Sequence, residues 1–162
     1  MLLYRVLRKL YAKNPFDGEG AFRFGGRWSS PGVRLSYASE HQSLAMLEYF
    51  VHLDSEDAPS DLVLVIAEFP EDVNIETVTA EALPPDWRDS PAPPSLSEIG
   101  NSFVKRGEHV ALAVPSALAP SENNWLVNPA HTDFGRIVVK ATEPLRYDTR
   151  MFRPRHSSRK RK

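Results

Sequence analysis

The apolar run at residues 62–69, bounded by Asp61 and Pro70, constrains the fold more than any other segment of this chain. Its sequence, Leu-Val-Leu-Val-Ile-Ala-Glu-Phe, is rich in β-branched residues and predicts a buried strand. Further strands are predicted at residues 3–7 (with a helix start as the alternative), 33–38, 74–78, 109–114 and 136–141, and Leu126-Val127 is a short apolar pair.

Two helices are predicted among these strands, running to about Leu53 and to Gly107. Each opens on a capping-box match, in which a serine and a residue three positions later satisfy each other's backbone amides. The pairs are Ser39 with Gln42 and Ser95 with Glu98. Residues 14–26 and 83–94 are turn-rich or proline-rich connections. Because helices and strands mix without regular β-α-β alternation, the sequence predicts a single α+β domain.

The composition excludes several classes of protein. A chain of 162 residues, 41% hydrophobic and 25% charged, is ordinary for one globular domain. Its net charge of -1 gives no general signal for nucleic acid or membranes. Without cysteine it has no disulfide, thiol nucleophile or thiolate metal site. We see neither a signal peptide nor a segment long enough to span a bilayer, so we expect a cytoplasmic protein.

Several familiar sites are also excluded. Gly18-Glu19-Gly20 begins like a dinucleotide-binding loop, but Arg23 stands where the third glycine is needed. No Walker A motif or Gly-x-Ser-x-Gly elbow occurs, and no two of the five histidines have metal-ligand spacing, so no metal is expected. The acidic cluster around Pro59 lacks the glycine of a calcium loop and is interpreted as a solvated turn; its members are Asp54, Glu56, Asp57 and Asp61.

Glu48 is the most unusual residue of the first predicted helix. Its neighbours along the helix include Leu44, Leu47 and Val51, and a carboxylate among apolar residues is costly without a partner or a cleft. Two interpretations follow from the spacing. Glu48 is either a rim carboxylate paired with an arginine, or it lines a pocket and faces a cationic transition state.

Three other residues have both a structural and a functional interpretation. Arg27 follows two glycines and could fork onto a phosphate, or it could stack on Trp28 or pair with an acid. Tyr37 could stack on a flat ring, or it could be an ordinary strand residue. Ser116 could donate a hydrogen bond to a ligand, or it could be a loop hydroxyl after Pro115.

Taken together, these residues resemble the RES domain family, which is named for its Arg, Glu and Ser. The resemblance covers the chain from about Leu3 to Arg146, and its blocks follow in the family's order. They are Tyr4-Arg5, Phe24-Gly25-Gly26-Arg27-Trp28, Leu35-Ser36-Tyr37-Ala38-Ser39-Glu40, Leu47-Glu48, Val114-Pro115-Ser116 and Asn128-Pro129. The stretch Asn124-Trp125-Leu126-Val127 before the last block also resembles the family's Asn-rich segment.

The resemblance implies a toxin of a bacterial toxin–antitoxin pair with a fold like that of ADP-ribosyltransferases and a central cleft for NAD. It implies cleavage of the nicotinamide–ribose bond, with phosphate or water as acceptor, so that NAD is a substrate and no cofactor is needed. The implied partner is an Xre-type DNA-binding antitoxin whose C-terminal end blocks the cleft. The implied catalytic residues are Arg27, Glu48 and Ser116, and the implied NAD-binding residues are Arg5, Arg27, Tyr37, Ser116 and Asn128.

This chemistry agrees with the residues themselves. Breaking a glycosidic bond creates an oxocarbenium-like ribose, which the Glu48 carboxylate could stabilise. Arg5 and Arg27 could hold the pyrophosphate, and Tyr37 could stack on the nicotinamide or a ribose face. Because the nicotinamide of NAD is already cationic, no strong general acid is required. The sequence leaves open phosphate or water as acceptor, and a monomer or a homodimer.

Two alternatives stand beside NAD degradation. The same cleft could transfer ADP-ribose to a protein, or the chain could be a binding module whose basic tail attracts phosphates. We expect a domain at residues 1–150 and a basic, disordered tail at residues 151–162 that lies outside the resemblance. The tail has no aromatic platform beyond Phe152, so we expect no direct nucleic-acid binding. Because the net charge gives no membrane signal and no segment is long enough to span a bilayer, we expect no membrane partner.

Overall fold

The chain forms a mixed α and β domain around one seven-stranded sheet. The structure is a computed structural model and describes residues 1–53 and 59–152. The strands are β1 (Leu2–Arg8), β2 (Ser36–Ser39), β3 (Leu62–Glu68), β4 (Ile75–Thr77), β5 (Ala111–Pro115), β6 (Asn123–Val127) and β7 (Val138–Pro144). The helices are α1 (Glu19–Phe24), α2 (Gln42–Phe50) and α3 (Pro94–Arg106), and 3₁₀ turns lie at Lys9–Tyr11, Ala80–Ala82, Thr132–Arg136 and Thr149–Phe152.

The strands follow the order β4-β5-β6-β2-β1-β3-β7 across the sheet. Only the β4–β5 pair is parallel among these named strands, and the other neighbours are antiparallel. This order puts β2 and β6, which are far apart in sequence, next to each other near the centre. The prediction of a single α+β domain is confirmed.

Strand β3 is buried on both faces, as its apolar sequence predicts. Val63 and Val65 join one core cluster with Leu3 and Trp125, whereas Leu64 joins another with Ala45 of α2. A third cluster lies between the sheet and α3, where Phe103 packs with Leu112, Leu126 and Trp28. Alternate side chains of one strand point to opposite faces, so β3 joins two of these cores.

Both capping-box predictions are wrong. Ser39 is the last residue of β2, and its hydroxyl donates to Asn124 Oδ1 at 2.7 Å across the sheet instead of capping α2. The chain bends after Ser39, His41 takes extended backbone angles, and the helix then runs only from Gln42 to Phe50. Helix α3 begins at Pro94, whose fixed φ and missing N–H suit a first helical turn without a side-chain cap.

The end of α3 is as predicted, because Gly107 takes the left-handed conformation at φ +64° that terminates helices. Residues 14–26, predicted as turns, contain the short helix α1. The sequence analysis missed it because glycines are typical of turns. Strand β2 begins at Ser36 rather than at residue 33, β6 extends the predicted apolar pair back to Asn123, and β7 ends at Pro144 rather than at residue 141.

Two predicted features fall partly outside the described residues. In the acidic cluster, Asp54, Glu56 and Asp57 lie outside them, whereas Asp61 pairs with Arg8 at 2.9 Å. Residues 153–162 of the basic tail also lie outside them. The packed chain continues past the expected domain end at Arg150, since the ring of Phe152 lies 5.3 Å from that of Phe50. Within the described part of the chain, no helix is long and apolar enough to cross a membrane.

Candidate functional site

Three central strands bring polar side chains together at one edge of the sheet. Ser39 ends β2 and is paired with Asn124, near the start of the antiparallel strand β6. Asn124 is also paired with Val114, near the end of β5, so Ser116 follows that strand at the same edge. Helix α2, which begins three residues after Ser39, carries Glu48 to this position. The site therefore depends on pairings between residues 68 to 85 positions apart in sequence.

Glu48 is held by two donors that share one of its oxygens. Ser116 Oγ donates to Glu48 Oε1 at 2.7 Å, and Asn124 Nδ2 donates to the same oxygen. Among the residues that the structure describes, Oε2 has no hydrogen-bond partner and no arginine pairs with this carboxylate. The rim ion pair that the sequence allowed is therefore not formed there. The carboxylate is half-buried, and its Oε2 faces no donor in the described part of the chain.

The Ser116 side chain is fully buried, with 0% of its surface exposed. Its oxygen accepts hydrogen bonds from the Leu118 and Ala119 amides, both at 3.1 Å, and its hydroxyl donates one to Glu48. A hydroxyl has one proton and two lone pairs, so these three bonds use its whole capacity. Ser116 thus orients Glu48, and its predicted direct contact with NAD stays a prediction.

Sequence reasoning missed Asn124 and Ser39 as site residues. The Ser39 hydroxyl donates to Asn124 Oδ1, which fixes the amide so that Nδ2 points at Glu48. The available signal was the Asn-rich segment that contains Asn124. Its role becomes visible only once the β2–β6 register pairs it with Ser39.

A second group of residues surrounds Tyr37, two residues before Ser39 on the same face of β2. The Tyr37 hydroxyl accepts from the Trp28 amide at 3.3 Å and lies 2.9 Å from Ser29 Oγ. A Cβ at Gly26 would come within 2.7 Å of this hydroxyl, so a larger residue there would displace the Tyr37 ring. Burial raises the pKa of Tyr37, which therefore stays a neutral phenol that fixes the Gly-Gly-Arg-Trp turn.

Arg27 forks onto two backbone carbonyls of the proline-rich connection. Its Nη1 donates to the Trp87 carbonyl at 2.7 Å, and Nη2 donates to that of Asp89 at 3.1 Å. In the described part of the chain it has no carboxylate partner, and Trp28 is not its stacking partner. Carbonyl acceptors orient a guanidinium without cancelling its charge, so Arg27 remains available to an anion.

Arg5 reaches the same tyrosine from β1. Its Nη1 donates to the Tyr37 carbonyl at 3.0 Å, and its guanidinium lies 5.9 Å from the centre of the Phe16 ring. Burial lowers the pKa of Arg5 to about 10, which leaves the side chain cationic at neutral pH. Tyr37 therefore connects Arg5 to the turn that carries Arg27.

The Asn128 side chain has no hydrogen bond to either group among the described residues. Its side chain is 1% exposed, and Oδ1 accepts from the Ala130 amide at 3.0 Å in a local turn. This arrangement favours a structural role, and its predicted contact with NAD stays a prediction. Over residues 1–53 and 59–152, no three acidic or histidine side chains gather in a group that could hold a metal ion.

The fold and these contacts define a class of protein: a small mixed domain with an oriented carboxylate at one sheet edge and arginines held by backbone carbonyls. The RES domain family model matches residues 2–148. The chain belongs to this family.

Relatives in the family are similar over most of their length. The chain is 36% identical to "Toxin Res" of Yersinia enterocolitica over 147 residues, covering 91% of this chain and 95% of the relative. It is also 36% identical to the "Prs ADP-ribosylating toxin" of a Sphingobium species over 147 residues, covering 90% of this chain and 91% of that one.

A solved structure supports the fold. The chain superposes on a protein in the crystal structure of the M. tuberculosis MbcT–MbcA toxin–antitoxin complex with a TM-score of 0.71 and 19% identity. The match covers 93% of this chain and 86% of the other.

Proposed function

We propose that this protein is the toxin of a toxin–antitoxin system and that it degrades NAD by breaking the nicotinamide–ribose bond. The observation that carries the proposal is the Glu48 carboxylate, held through Oε1 by Ser116 and Asn124, while Oε2 has no partner within residues 1–53 and 59–152. As this bond breaks, nicotinamide leaves as a neutral molecule and the ribose becomes oxocarbenium-like. A carboxylate that is already oriented stabilises this charge without reorganising.

In this proposal, two arginines bind the pyrophosphate of NAD. Its pyrophosphate carries negative charge, and Arg5 and Arg27 are cations whose orientation is set by backbone carbonyls. Tyr37 contacts the segments of both arginines, and in this proposal its ring stacks on the nicotinamide or a ribose. Phosphate or water then adds to the ribose carbon that nicotinamide leaves, and the products are ADP-ribose 1″-phosphate or ADP-ribose.

The toxin assignment is supported by the names of the relatives and by the solved toxin–antitoxin complex. An Xre-type antitoxin that covers the NAD site is the partner we expect. Added to the enzyme in equimolar amount, it should stop NAD loss. Unchanged turnover in a stable complex would show that the antitoxin binds elsewhere.

ADP-ribosylation of a protein is the second candidate, because a relative of 36% identity is named an ADP-ribosylating toxin. This reaction breaks the same bond, and only the acceptor differs. Glu48 and the arginines would act in the same way, while a side chain of the target protein would take the ribose carbon.

The two candidates differ in their products. The purified protein should be incubated with NAD labelled in the adenine ring, with and without phosphate and with a cell extract. Free nicotinamide with soluble labelled ADP-ribose or its phosphate supports NAD degradation, and label on a protein band supports the second candidate. Intact NAD in every sample would contradict both.

A further inference from the structure

The arginines of the described residues fall into two groups. Six form ion pairs with carboxylates: Arg8, Arg23, Arg34, Arg106, Arg136 and Arg150. Within residues 1–53 and 59–152, the other four have no such pair; they are Arg5, Arg27, Arg88 and Arg146. Since an ion pair neutralises a guanidinium and a carbonyl does not, the second group contains the candidate anion ligands.

Arg88 shares a specific feature with Arg5 and Arg27. Each donates to a backbone carbonyl: Arg5 to Tyr37, Arg27 to Trp87 and Asp89, and Arg88 through Nε to Ala117 at 3.1 Å. A hydrogen bond from an exposed arginine to a carbonyl adds little stability to the fold, because water could take the carbonyl's place and ordering this long side chain costs entropy. The bond is therefore better explained by a need to fix the position of the guanidinium. Arg88 is thus held in place with its charge intact.

Arg88 is bonded near both groups of the site, the one around Arg27 and the one around Glu48. The backbone on both sides of it is fixed by Arg27, which bonds the carbonyls of Trp87 and Asp89. Its own side chain reaches Ala117, the residue after Ser116, which holds Glu48. Its Nη groups have no partner in the described part of the chain. Arg88 therefore links the segment that Arg27 holds to the residue that follows Ser116.

We propose that Arg88 is a third arginine of the substrate site and binds phosphate oxygens there. The inference rests on the proposed NAD chemistry, in which the reacting ribose lies at Glu48. Two sources supply phosphate oxygens near that ribose: the pyrophosphate of NAD itself, and free inorganic phosphate that attacks the ribose carbon. In the second case the phosphate oxygen forms the new bond to carbon as the bond to nicotinamide breaks, with no oxidant or further reactant.

The test compares Arg88→Gln with Arg106→Gln. Arg106 is also exposed, but it is paired with Glu76 and belongs to the ion-paired group. ADP-ribose is titrated by calorimetry at low and high salt, and NAD turnover is measured over a range of phosphate concentrations. We expect Arg88→Gln to weaken ADP-ribose binding, or to raise the KM for phosphate, by about tenfold. The difference should shrink at high salt, which a purely structural loss would not do.

The two sources give different results. Weaker ADP-ribose binding at any phosphate level assigns Arg88 to the pyrophosphate, whereas a raised KM for phosphate with ADP-ribose binding unchanged assigns it to the acceptor. Either supports the proposal. Arg88→Gln protein that matches the Arg106→Gln control in binding and in phosphate response overturns it, as does wild-type protein that binds neither ADP-ribose nor phosphate.

Failure of the proposed function would look different. Wild-type protein that binds ADP-ribose but leaves NAD intact would contradict NAD cleavage, and the binding comparison would still report on Arg88. Arg88→Lys provides a second check, because lysine keeps the positive charge but lacks the paired donors of the planar guanidinium. Its binding should fall between that of wild type and Arg88→Gln, and a melting temperature near wild type shows that the fold is intact.

Discussion

At the scale of the residue, the two oxygens of Glu48 have different surroundings. Oε1 accepts from Ser116 and Asn124, whereas Oε2 has no partner among the described residues. Two donors on one oxygen fix the plane of the carboxylate and the direction of the other oxygen. Ser116 is buried, and its hydroxyl already makes all the hydrogen bonds it can. We therefore infer that it orients Glu48, and we expect it to affect catalysis only by positioning that carboxylate.

Asn124→Ala should lower kcat for NAD cleavage by about tenfold to hundredfold, because Glu48 loses one of its two orienting donors. The KM for NAD should change by less than about threefold, since Asn124 is not expected to touch the pyrophosphate. Asn74→Ala is the matched control, as Asn74 is exposed. Steady-state kinetics on both variants decide the matter, and a kcat equal to that of the control would refute the orienting role.

Arg27→Lys should raise the KM for NAD by about tenfold although the charge is kept. A lysine cannot fork onto the carbonyls of Trp87 and Asp89 while it also presents donors to a phosphate. Arg23→Lys is the control, because Arg23 is exposed and paired with Glu19. If both variants behave like wild type in an NAD titration, the guanidinium geometry at position 27 has no part in substrate binding.

At the scale of the element, α3 supports the turn that carries Arg27. The Trp28 carbonyl lies against Gly100, where an added Cβ would come within 1.8 Å of its oxygen. The next residue, Asn101, accepts from the Ser30 amide at 3.0 Å and donates to the Ser30 hydroxyl at 2.9 Å. Helix and turn therefore form one packed unit, and the position of Arg27 depends on α3.

Gly100→Ala should lower the melting temperature and raise the KM for NAD, because the helix and the Arg27 turn must move apart. Gly20→Ala is a matched helical control, since nothing lies within 4 Å of a Cβ at that position. Thermal melts and NAD kinetics should separate the two substitutions clearly. Wild-type KM and melting temperature in Gly100→Ala would show that the turn does not depend on this contact.

At the scale of the whole molecule, the last described residues pack on the helix that carries Glu48. The ring of Phe152 contacts those of Phe50 and Tyr147, and the Tyr147 hydroxyl donates to the Met46 carbonyl of α2 at 2.6 Å. The C-terminal end of the domain thus braces α2. The boundary at Arg150 that the charge pattern suggests leaves out this aromatic contact.

Two truncations locate the functional end of the domain. Removing residues 153–162 should leave both the melting temperature and NAD turnover near wild type. Removing residues 151–162 should lower the melting temperature by several degrees through loss of the Phe152 ring, while turnover at low temperature stays nearly unchanged. Equal melting curves for the two proteins would show that Phe152 adds nothing to stability.

Sequence reasoning found most elements, because apolar periodicity is a local signal. Its assignment of Arg27, Glu48 and Ser116 as the residues that give the family its name stays a prediction. It did not find Asn124, Ser39 or the carbonyl anchors of Arg27. These contacts join residues 60 to 85 positions apart and exist only once the sheet order is known. The capping boxes failed for a related reason: the Ser39 hydroxyl is engaged by a neighbouring strand, and a proline starts α3 without help.

The most direct test of the account is the NAD turnover of Glu48→Gln measured beside Glu98→Gln, an exposed carboxylate on α3. The amide keeps the shape of the side chain but not its charge. We predict that Glu48→Gln melts near the wild-type temperature, binds ADP-ribose, and releases nicotinamide at least about a hundredfold more slowly, whereas Glu98→Gln behaves as wild type. Wild-type nicotinamide release by a folded Glu48→Gln protein would contradict the account.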